Sequence, residues 1–394
     1  MSYLNQHLQT AIGIIDAYDG VVPLAAYLKN HFAANKKYGS KDRKNITHFC
    51  YAFFRLGHAL KNHPPDQRIR VSIFLQSKEP GSWSILFEHS WLEAWSDSID
   101  ERLAFVKTAF PDFQLEHVFP WLTQIAKEID PSGFLKSAFV QPDLFIRIRP
   151  GHHKKLIQKI ADQQIPFLQL SEHCLALPST SKLEGIVAMD QELVVQDASS
   201  QSIAQLLKQI SFEQKKRIAF WDCCAASGGK TILTQDILGN LDITVSDIRS
   251  SILHNLSHRF QRAGIQHFHP IVADLSVEKP SLPQKKFDFI FCDVPCSGSG
   301  TWGRTPEQLY FFKESNIATF AKLQQSILKN VIPLLAPGGY LLFSTCSVFQ
   351  AENDSNLDFL LNQDPHLKLM EAQYLKGYGM KADTMYAALI KKNA

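Results

Sequence analysis

The stretch FDFIFCDVPCSGSGTW, residues 287–302, joins a short apolar run to an abrupt polar turn. Its first six residues, 287–292, are typical of a strand buried on both faces of a parallel sheet. Asp293 follows, and Pro295, which has no amide hydrogen and a fixed φ, holds Cys296 in a rigid turn. Ligands of open parallel sheets bind beyond the carboxyl ends of the strands. The stretch therefore predicts an acid and a thiol beside a binding crevice, although a single cysteine is more often a small apolar packing residue.

Strands and helices alternate on both sides of this stretch, from about residue 185 to residue 394. Strands are predicted near residues 218–224, 242–247, 269–274, 287–292, 337–346, 367–374 and 385–390. Helices are predicted up to about residue 238 and over 250–263, 306–335 and 351–361. Repeated strand–helix units of this kind form a parallel, doubly wound sheet, so the 185–394 domain is predicted to be α/β.

The chain before residue 185 has a different pattern. Residues 1–132 lack strand alternation and predict an all-α domain. One of its helices, with Ser40 as the N-cap, carries apolar residues at the spacing of a core-facing stripe: Ile46, Phe49, Cys50, Phe53 and Phe54. The aromatic residues from Trp83 to Trp95 are interpreted as packing within a helical bundle rather than as a base-stacking platform. Residues 133–184 mix both patterns and predict a small α+β insert.

The formal net charge of +3 is too small to imply general affinity for nucleic acid, so an RNA surface would have to be a local basic patch. Two patches are candidates: Lys36, Lys37, Lys41, Arg43 and Lys44 in the first, and Arg147, Arg149, Lys154, Lys155 and Lys159 in the second. Alternation along the strand at 144–150 puts both arginines on one face, which suits contacts to an RNA backbone. The alternatives are a solvated helix face and a sheet edge charged to prevent aggregation.

The sequence carries no sign of secretion or of a membrane span. The first 20 residues lack a basic segment followed by an apolar core, and no apolar run approaches the length that crosses a bilayer. The seven cysteines are an odd number without disulfide-framework or zinc-knuckle spacing. We therefore expect reduced thiols, no metal, a cytoplasmic location and a monomer.

Acidic residues end three successive predicted strands, namely Asp222, Asp247 and Asp274. The first is followed by a small-residue turn, 224–230, with exposed backbone amides. A carboxylate at the end of the second strand can accept both hydroxyls of a ribose, and Asp274 can meet an adenine amino group. This pattern predicts an adenosine-type cofactor, although any one of these aspartates could be a turn residue. Gly229-Lys230-Thr231 resembles the end of a Walker loop, but the first glycine of that motif is missing.

A second thiol, Cys346, ends the predicted strand 337–346 in the sequence Ser-Thr-Cys-Ser. If that strand neighbours 287–292, Cys346 and Cys296 face one crevice. A disulfide is the alternative, but it is disfavoured in a cytoplasmic protein. A helix N-terminus or Lys230 could hold such a thiol as the thiolate, which can add to an electron-poor carbon.

Five segments together resemble the motifs of S-adenosylmethionine-dependent RNA cytosine-5 methyltransferases of the Fmu/Sun/NOL1 type. They are DCCAASGGKT (222–231), SDIRSS (246–251), VADL (272–275), DVPCSGSGTWGRTPE (293–307) and STCSVFQAEN (344–353). The likeness covers about residues 185–394. Residues 39–43 and 51–56 further resemble the NusB-like RNA-binding domain of the bacterial 16S ribosomal RNA members of this family.

The resemblance implies a Rossmann-like class I methyltransferase fold, S-adenosyl-L-methionine as cofactor and RNA as substrate. It implies that Cys346, beside Lys230, adds to C6 of a cytosine, that Cys296 assists product release, and that Asp293 bonds the base near N3. The implied cofactor residues are Cys224, Ala225, Ala226, Ser227, Gly228, Gly229, Lys230, Asp247, Asp274 and Asp293. Ser227 stands where the family usually has proline.

Several alternatives stay open at this point. The favoured substrate is 16S ribosomal RNA, with tRNA as the alternative. A nucleotide-binding hydrolase built on Gly229-Lys230-Thr231 is a different enzyme class, and an RNA-binding module with purely structural thiols is a third possibility.

Overall fold

The computed structural model describes residues 3–212 and 217–393. Its contacts divide the chain into two units. The first, called here the helical unit, comprises Met1–Thr123, Asp130–Gln141 and Thr301–Lys313. The second, the sheet unit, comprises Gln124–Ile129, Pro142–Gly300 and Glu314–Ala394. The finer division into domains 1–132, 133–184 and 185–394 stays a prediction.

The helices, in chain order, are α1 Tyr3–Ala17, α2 Leu24–Ala34, α3 Ser40–Arg55, α4 Pro65–Gln76, α5 His89–Glu93, α6 Ile99–Ala109, α7 Pro131–Ser137, α8 His153–Asp162, α9 Ala198–Ser202, α10 Ala204–Leu207, α11 Gly229–Leu238, α12 Ser250–Arg262, α13 Pro306–Phe311, α14 Ser315–Val331 and α15 Asp354–Leu361. The strands are β1 Leu144–Ile148, β2 Leu168–Gln169, β3 Cys174–Leu177, β4 Leu193–Val195, β5 Ile218–Asp222, β6 Leu241–Asp247, β7 Phe268–Val272, β8 Phe287–Asp293, β9 Leu335–Thr345, β10 Leu367–Lys376 and β11 Thr384–Lys392. Short 3-10 turns lie at Gly81–Leu86, Leu115–Val118, Leu122–Gln124, Ser299–Thr301, Ile332–Leu334, Gln350–Glu352 and Gly377–Met380.

The predicted apolar stripe of α3 is confirmed, because all five of its residues are buried: Ile46, Phe49, Cys50, Phe53 and Phe54. The predicted N-cap is wrong by one residue. Gly39 is the N-cap and Ser40 is the first helical residue, because the Asp42 carboxylate accepts a hydrogen bond from the Gly39 amide at 2.9 Å.

The aromatic segment 83–95 forms a 3-10 turn and the short helix α5 rather than one long helix. The interpretation of these rings as packing residues is confirmed. Phe74 of α4 meets the Trp91 ring at a centroid distance of 4.9 Å and the Trp95 ring at 4.8 Å, both edge to face.

The sheet unit is built on a seven-stranded sheet with the order β10-β11-β9-β8-β5-β6-β7. The five strands from β9 to β7 pair in parallel, which confirms the predicted doubly wound sheet, while β10 and β11 add antiparallel pairs at one edge. Successive residues of β5 face opposite cores. Phe220 belongs to the core that contains Phe260 of α12, and Trp221 to the core that contains Leu328 of α14 and Leu360 of α15.

A second, four-stranded antiparallel sheet has the order β2-β3-β1-β4 and packs with α8. It forms the predicted α+β segment, but its last strand, β4, lies after residue 184. In residues 3–212 and 217–393, no helix combines the length and apolar character needed to cross a membrane.

The predicted helix over 306–335 is wrong in its continuity. It is broken between α13 and α14, where Phe312 is extended with φ −66° and ψ 141°. The Phe312 ring packs 5.0 Å from the Trp121 ring and 4.9 Å from the Trp302 ring, all within the helical unit. The chain turns at this point because burial of these rings outweighs continuation of the helix.

Candidate active site

The carboxyl ends of β8 and β9 bring the two candidate thiols together. These strands pair in parallel, with Asp293 opposite Ser344, so the turns that follow them emerge side by side. Cys296 Sγ lies 3.2 Å from Cys346 Sγ, and the Cys346 amide donates to Cys296 Sγ at 3.3 Å. Both thiols are partly accessible and unoxidised. The hydrogen bond with Cys346, together with burial, raises the pKa of the Cys296 thiol well above its usual range.

The turn after β8 is fitted closely to the turn after β9. The Gly300 amide donates to the Cys346 carbonyl at 2.9 Å. A Cβ atom at position 300 would come within 1.8 Å of the Thr384 carbonyl oxygen, so only glycine allows this approach. The backbone of the turn after β8 is therefore held directly against the backbone of the turn after β9.

Asp293 is fixed from two sides next to these thiols. Lys230 Nζ donates to one carboxylate oxygen at 2.5 Å, and Ser344 Oγ donates to the other at 2.7 Å. Burial alone would lower the pKa of Lys230, but the adjacent Asp293 carboxylate outweighs burial and raises it. Lys230 therefore stays a cation, and its positive charge is available to the neighbouring Asp293 and Cys346.

The predicted cofactor turn leads from β5 into α11. Cys224 is half-buried, Ala225 is buried, and Ala226 and Ser227 are exposed. Gly228 adopts φ +79°, and a Cβ atom there would meet the Phe260 ring at 2.5 Å. Gly229 begins α11, so its amide belongs to the first turn of that helix.

Ser227 has a structural partner that the sequence did not reveal. Arg259 Nη1 of α12 donates to Ser227 Oγ at 2.9 Å and to the Ser227 carbonyl at 3.2 Å. The serine hydroxyl thus anchors a turn that a proline ring would stiffen by other means.

Asp222, the first of the three acidic strand ends that predicted the cofactor site, is buried and bonds within the fold. Its carboxylate accepts a hydrogen bond from Thr231 Oγ1 at 2.6 Å and is 1% exposed. Burial raises the pKa of Asp222 to about 7. The contact joins the end of β5 to the first turn of α11.

Asp247 ends β6 and Asp274 follows β7. Asp247 Oδ1 accepts hydrogen bonds from the Arg249 amide at 2.9 Å and from Arg249 Nε at 3.1 Å. Asp274 is partly exposed, and hydrogen bonds from Ser276 lower its pKa. Both carboxylates lie at the same edge of the sheet as the predicted cofactor turn.

The prediction that Arg147 and Arg149 contact RNA phosphates is wrong. Alternation does place them on one face, but that face is covered by α11. Arg147 Nη1 and Arg149 Nη2 donate to the two oxygens of Asp236 at 2.6 and 2.7 Å, and the three side chains are 5%, 13% and 6% exposed. The guanidinium groups are therefore committed to an internal ion pair.

The other members of the predicted basic patches differ in exposure. Lys159 pairs with Glu192 at 2.8 Å. The exposed cations of the second patch are Lys154 and Lys155, and all five of the first patch are exposed: Lys36, Lys37, Lys41, Arg43 and Lys44.

Sequence reasoning missed Glu352, a fully buried carboxylate behind the two thiol turns. It accepts hydrogen bonds from the Ser297 amide at 2.8 Å and from Ser347 Oγ at 2.9 Å. Glu352 lies in the segment STCSVFQAEN (344–353), but its polar neighbours Gln350, Asn353 and Asp354 give no sign of burial. Nothing local in the sequence indicates that Ser297, 55 residues earlier, is a partner.

The parallel sheet, with its glycine turn and acidic strand ends, defines a Rossmann-like methyltransferase fold. Residues 209–391 match the family model "16S rRNA methyltransferase RsmB/F". Solved structures agree in fold. One titled "Crystal Structure of PH0851" has a TM-score of 0.72 at 20% identity and covers 100% of each chain. A methyltransferase homolog from Pyrococcus horikoshii has a TM-score of 0.55 at 19% identity and covers 66% of this chain and 90% of its own.

Curated relatives carry the same kind of name. The chain is 33% identical over 230 residues to "Probable ribosomal RNA small subunit methyltransferase B" of Synechocystis sp., covering 56% of this chain and 50% of the relative. It is 28% identical over 268 residues to "Ribosomal RNA small subunit methyltransferase B" of Salmonella arizonae, covering 64% and 60%. The chain spans about half the length of the curated relatives it matches.

Proposed function

We propose that this protein transfers a methyl group from S-adenosylmethionine to C5 of a cytosine in RNA, through a covalent adduct between Cys346 and C6 of the base. The observation that carries the proposal is the pair of thiols, 3.2 Å apart, beside the Lys230–Asp293 ion pair. The names of the relatives favour RNA of the small ribosomal subunit as the substrate.

The residues at the sheet edge fit an adenosine-type cofactor. Gly228 lets the turn pass close to α12 without a side chain, and Asp247 and Asp274 present carboxylates where ribose hydroxyls and an adenine amino group can donate. S-adenosylmethionine supplies an electrophilic methyl group when it is bound. The chain must then activate C5 of the cytosine, because C5 of an unmodified cytosine is too poor a nucleophile to accept the methyl group.

Cys346 provides that activation. Its sulfur adds as the nucleophile to C6 of a base that has left its stack. The new S–C6 bond pushes electron density onto C5, which becomes an enamine-like carbon able to accept the methyl group. The Asp293 carboxyl, oriented by Lys230 and Ser344, hydrogen-bonds the base near N3 and stabilises the adduct.

Cys296 assists the release of the methylated base from Cys346. After methylation C5 carries both the new methyl group and a hydrogen. Loss of that proton to a base, assisted by Cys296 at 3.2 Å from Cys346 Sγ, restores the C5–C6 double bond and expels Cys346 as a thiolate.

The proposal is tested with the purified full chain, methyl-labelled S-adenosylmethionine, and either small-subunit ribosomal RNA or tRNA. We expect 5-methylcytosine in the ribosomal RNA after digestion to nucleosides, and binding of S-adenosylmethionine but not ATP by calorimetry. Binding of ATP alone would favour a hydrolase. RNA affinity without any methyl transfer would favour a non-catalytic RNA-binding module.

A further inference from the structure

The turns that carry the two thiols share one buried carboxylate. Ser297 follows Cys296 in the chain, and Ser347 follows Cys346. Glu352 Oε2 accepts a hydrogen bond from the Ser297 amide at 2.8 Å, and Glu352 Oε1 accepts one from Ser347 Oγ at 2.9 Å. A single side chain therefore touches the residue directly after each thiol.

This carboxylate is in turn held by α14. Gln324 Nε2 donates to Glu352 Oε2 at 3.1 Å and to the Pro295 carbonyl at 3.0 Å. Pro295 directly precedes Cys296, so the same turn is bonded on both sides of the thiol. Asn356 Nδ2 donates to Gln324 Oε1 at 2.5 Å and fixes the orientation of the carboxamide. The contacts form a buried frame around the two thiol turns.

Burial of an acid at this place has an energetic cost. The donors to Glu352 are an amide, a hydroxyl and a carboxamide, and burial raises its pKa in spite of them. A buried apolar side chain of similar size would stabilise the fold at least as well. What an apolar side chain could not do is accept hydrogen bonds from both turns at once.

We propose that Glu352 is a positioning residue that fixes the separation between Cys346 Sγ and Cys296 Sγ. The consequence for methyl transfer rests on the proposed function above. The consequence for the distance between the sulfur atoms does not, and it can be measured without RNA or cofactor.

The direct measurement is the rate at which diamide joins the two thiols. Each disulfide formed releases two protons and two electrons, which reduce the diazene to a hydrazine, and peptide mass spectrometry identifies the Cys296–Cys346 link. We expect Glu352→Ala to slow this reaction about ten-fold, because loosened turns lose proximity. Glu352→Gln should restore nearly the rate of the unchanged protein. Its carboxamide oxygen can accept from Ser297, and its amino group can donate to the Ser347 hydroxyl.

The matched control is Asp354→Asn, a partly buried acid two residues away that bonds Tyr374 at 2.8 Å. It should leave the rate of disulfide formation unchanged. If Glu352→Ala does not fold, as judged by near-UV circular dichroism, Ser347→Ala is the second variant. It removes the hydroxyl that donates to Glu352, together with the 3.2 Å bond that this hydroxyl accepts from Ser297 Oγ, and should slow the reaction as well. A folded Glu352→Ala or Ser347→Ala protein that forms the disulfide at the original rate would overturn the proposal.

A second measurement separates this proposal from the function. Glu352→Ala should lower kcat for methyl transfer about ten-fold or more and leave the dissociation constant of S-adenosylmethionine unchanged. If neither the unchanged protein nor any variant methylates RNA, the proposed function fails. The rates of disulfide formation still decide the role of Glu352.

Discussion

Arg249 forms an ion pair with Asp247, the carboxylate that the ribose of the cofactor is expected to bind. Its Nε and Nη2 atoms lie 3.1 and 3.3 Å from the two oxygens of Asp247. The arginine side chain is 60% exposed, whereas Asp247 is 7% exposed. The ribose of a bound cofactor would therefore compete with a solvent-facing cation for a buried acceptor, and two variants test this.

The first variant is Asp247→Ala. We expect it to weaken S-adenosylmethionine binding by about 1.5–3 kcal/mol, the loss typical of hydrogen bonds to a charged group. Calorimetry gives the dissociation constant. The control is Asp242→Ala at the other end of β6, whose carboxylate pairs with Lys285 at 2.7 Å and should not affect the cofactor. An unchanged dissociation constant for Asp247→Ala would remove this residue from the cofactor site.

The second variant is Arg249→Ala. An exposed ion pair contributes about 0–1 kcal/mol, so releasing Asp247 from it should tighten cofactor binding by up to about five-fold. The same calorimetric titration measures this. Weaker binding by Arg249→Ala would mean that the arginine itself contacts the cofactor and is not a competitor.

At the scale of elements, the four-stranded sheet is joined to α11 by an ion pair. β1 contributes Arg147, and Arg149 follows it, while α11 contributes Asp236. Arg149 also donates to the carbonyls of Asp190 and Ala263 at 2.9 and 2.7 Å. This junction fixes α11, the helix that begins at the cofactor turn, from its far end.

Replacing Asp236 should damage this junction. Asp236→Asn leaves two largely buried guanidinium groups without their counter-charge, and breaking such a pair costs about 3–5 kcal/mol. The free energy of unfolding in urea measures the loss. Asp162→Asn, at the exposed end of α8, is the control and should change it by less than about 0.5 kcal/mol. Equal stabilities of the two variants would show that the ion pair is not important for the junction.

In the second basic patch, the exposed lysines Lys154 and Lys155 remain candidates for contact with RNA. If Lys154 and Lys155 each meet a phosphate, replacing both with alanine should reduce the slope of log affinity against log salt by about two. Filter binding across a salt series measures that slope. Lys279→Ala, an exposed lysine elsewhere in the sheet unit, should leave it unchanged. If the double variant keeps the original slope, both lysines are solvated surface residues that do not contact RNA phosphates.

At the scale of the whole molecule, sequence patterns predicted what depends on neighbours in the chain. Apolar runs such as 287–292 located the strands, and the acid or thiol after each run marked the edge where the site lies. Sequence patterns failed where contacts between residues far apart in the chain determine the structure. Alternation could place Arg147 on a face but could not reveal that α11 covers it. Helical spacing could not reveal the break at Phe312, which follows from ring packing within the helical unit.

The missed residue Glu352 shows the same limit. Of its two turn partners, Ser347 is five residues away and Ser297 is 55 residues away, and only the pairing of β8 with β9 brings them together. The thiols were predicted because each follows directly on a strand. Their frame could not be predicted, because its members come from separate segments of the chain.

The two thiols give the most direct test of the account. Each protein is incubated with RNA and S-adenosylmethionine and examined by denaturing electrophoresis for a covalent protein–RNA band. Cys296→Ala should accumulate that band, because Cys346 still adds to C6 while release is impaired. Cys346→Ala should give neither band nor methyl transfer, and Cys174→Ala, a buried thiol of the small sheet, should behave as the unchanged protein. Accumulation by Cys346→Ala would reverse the two roles, and full activity of both single variants would contradict covalent catalysis altogether.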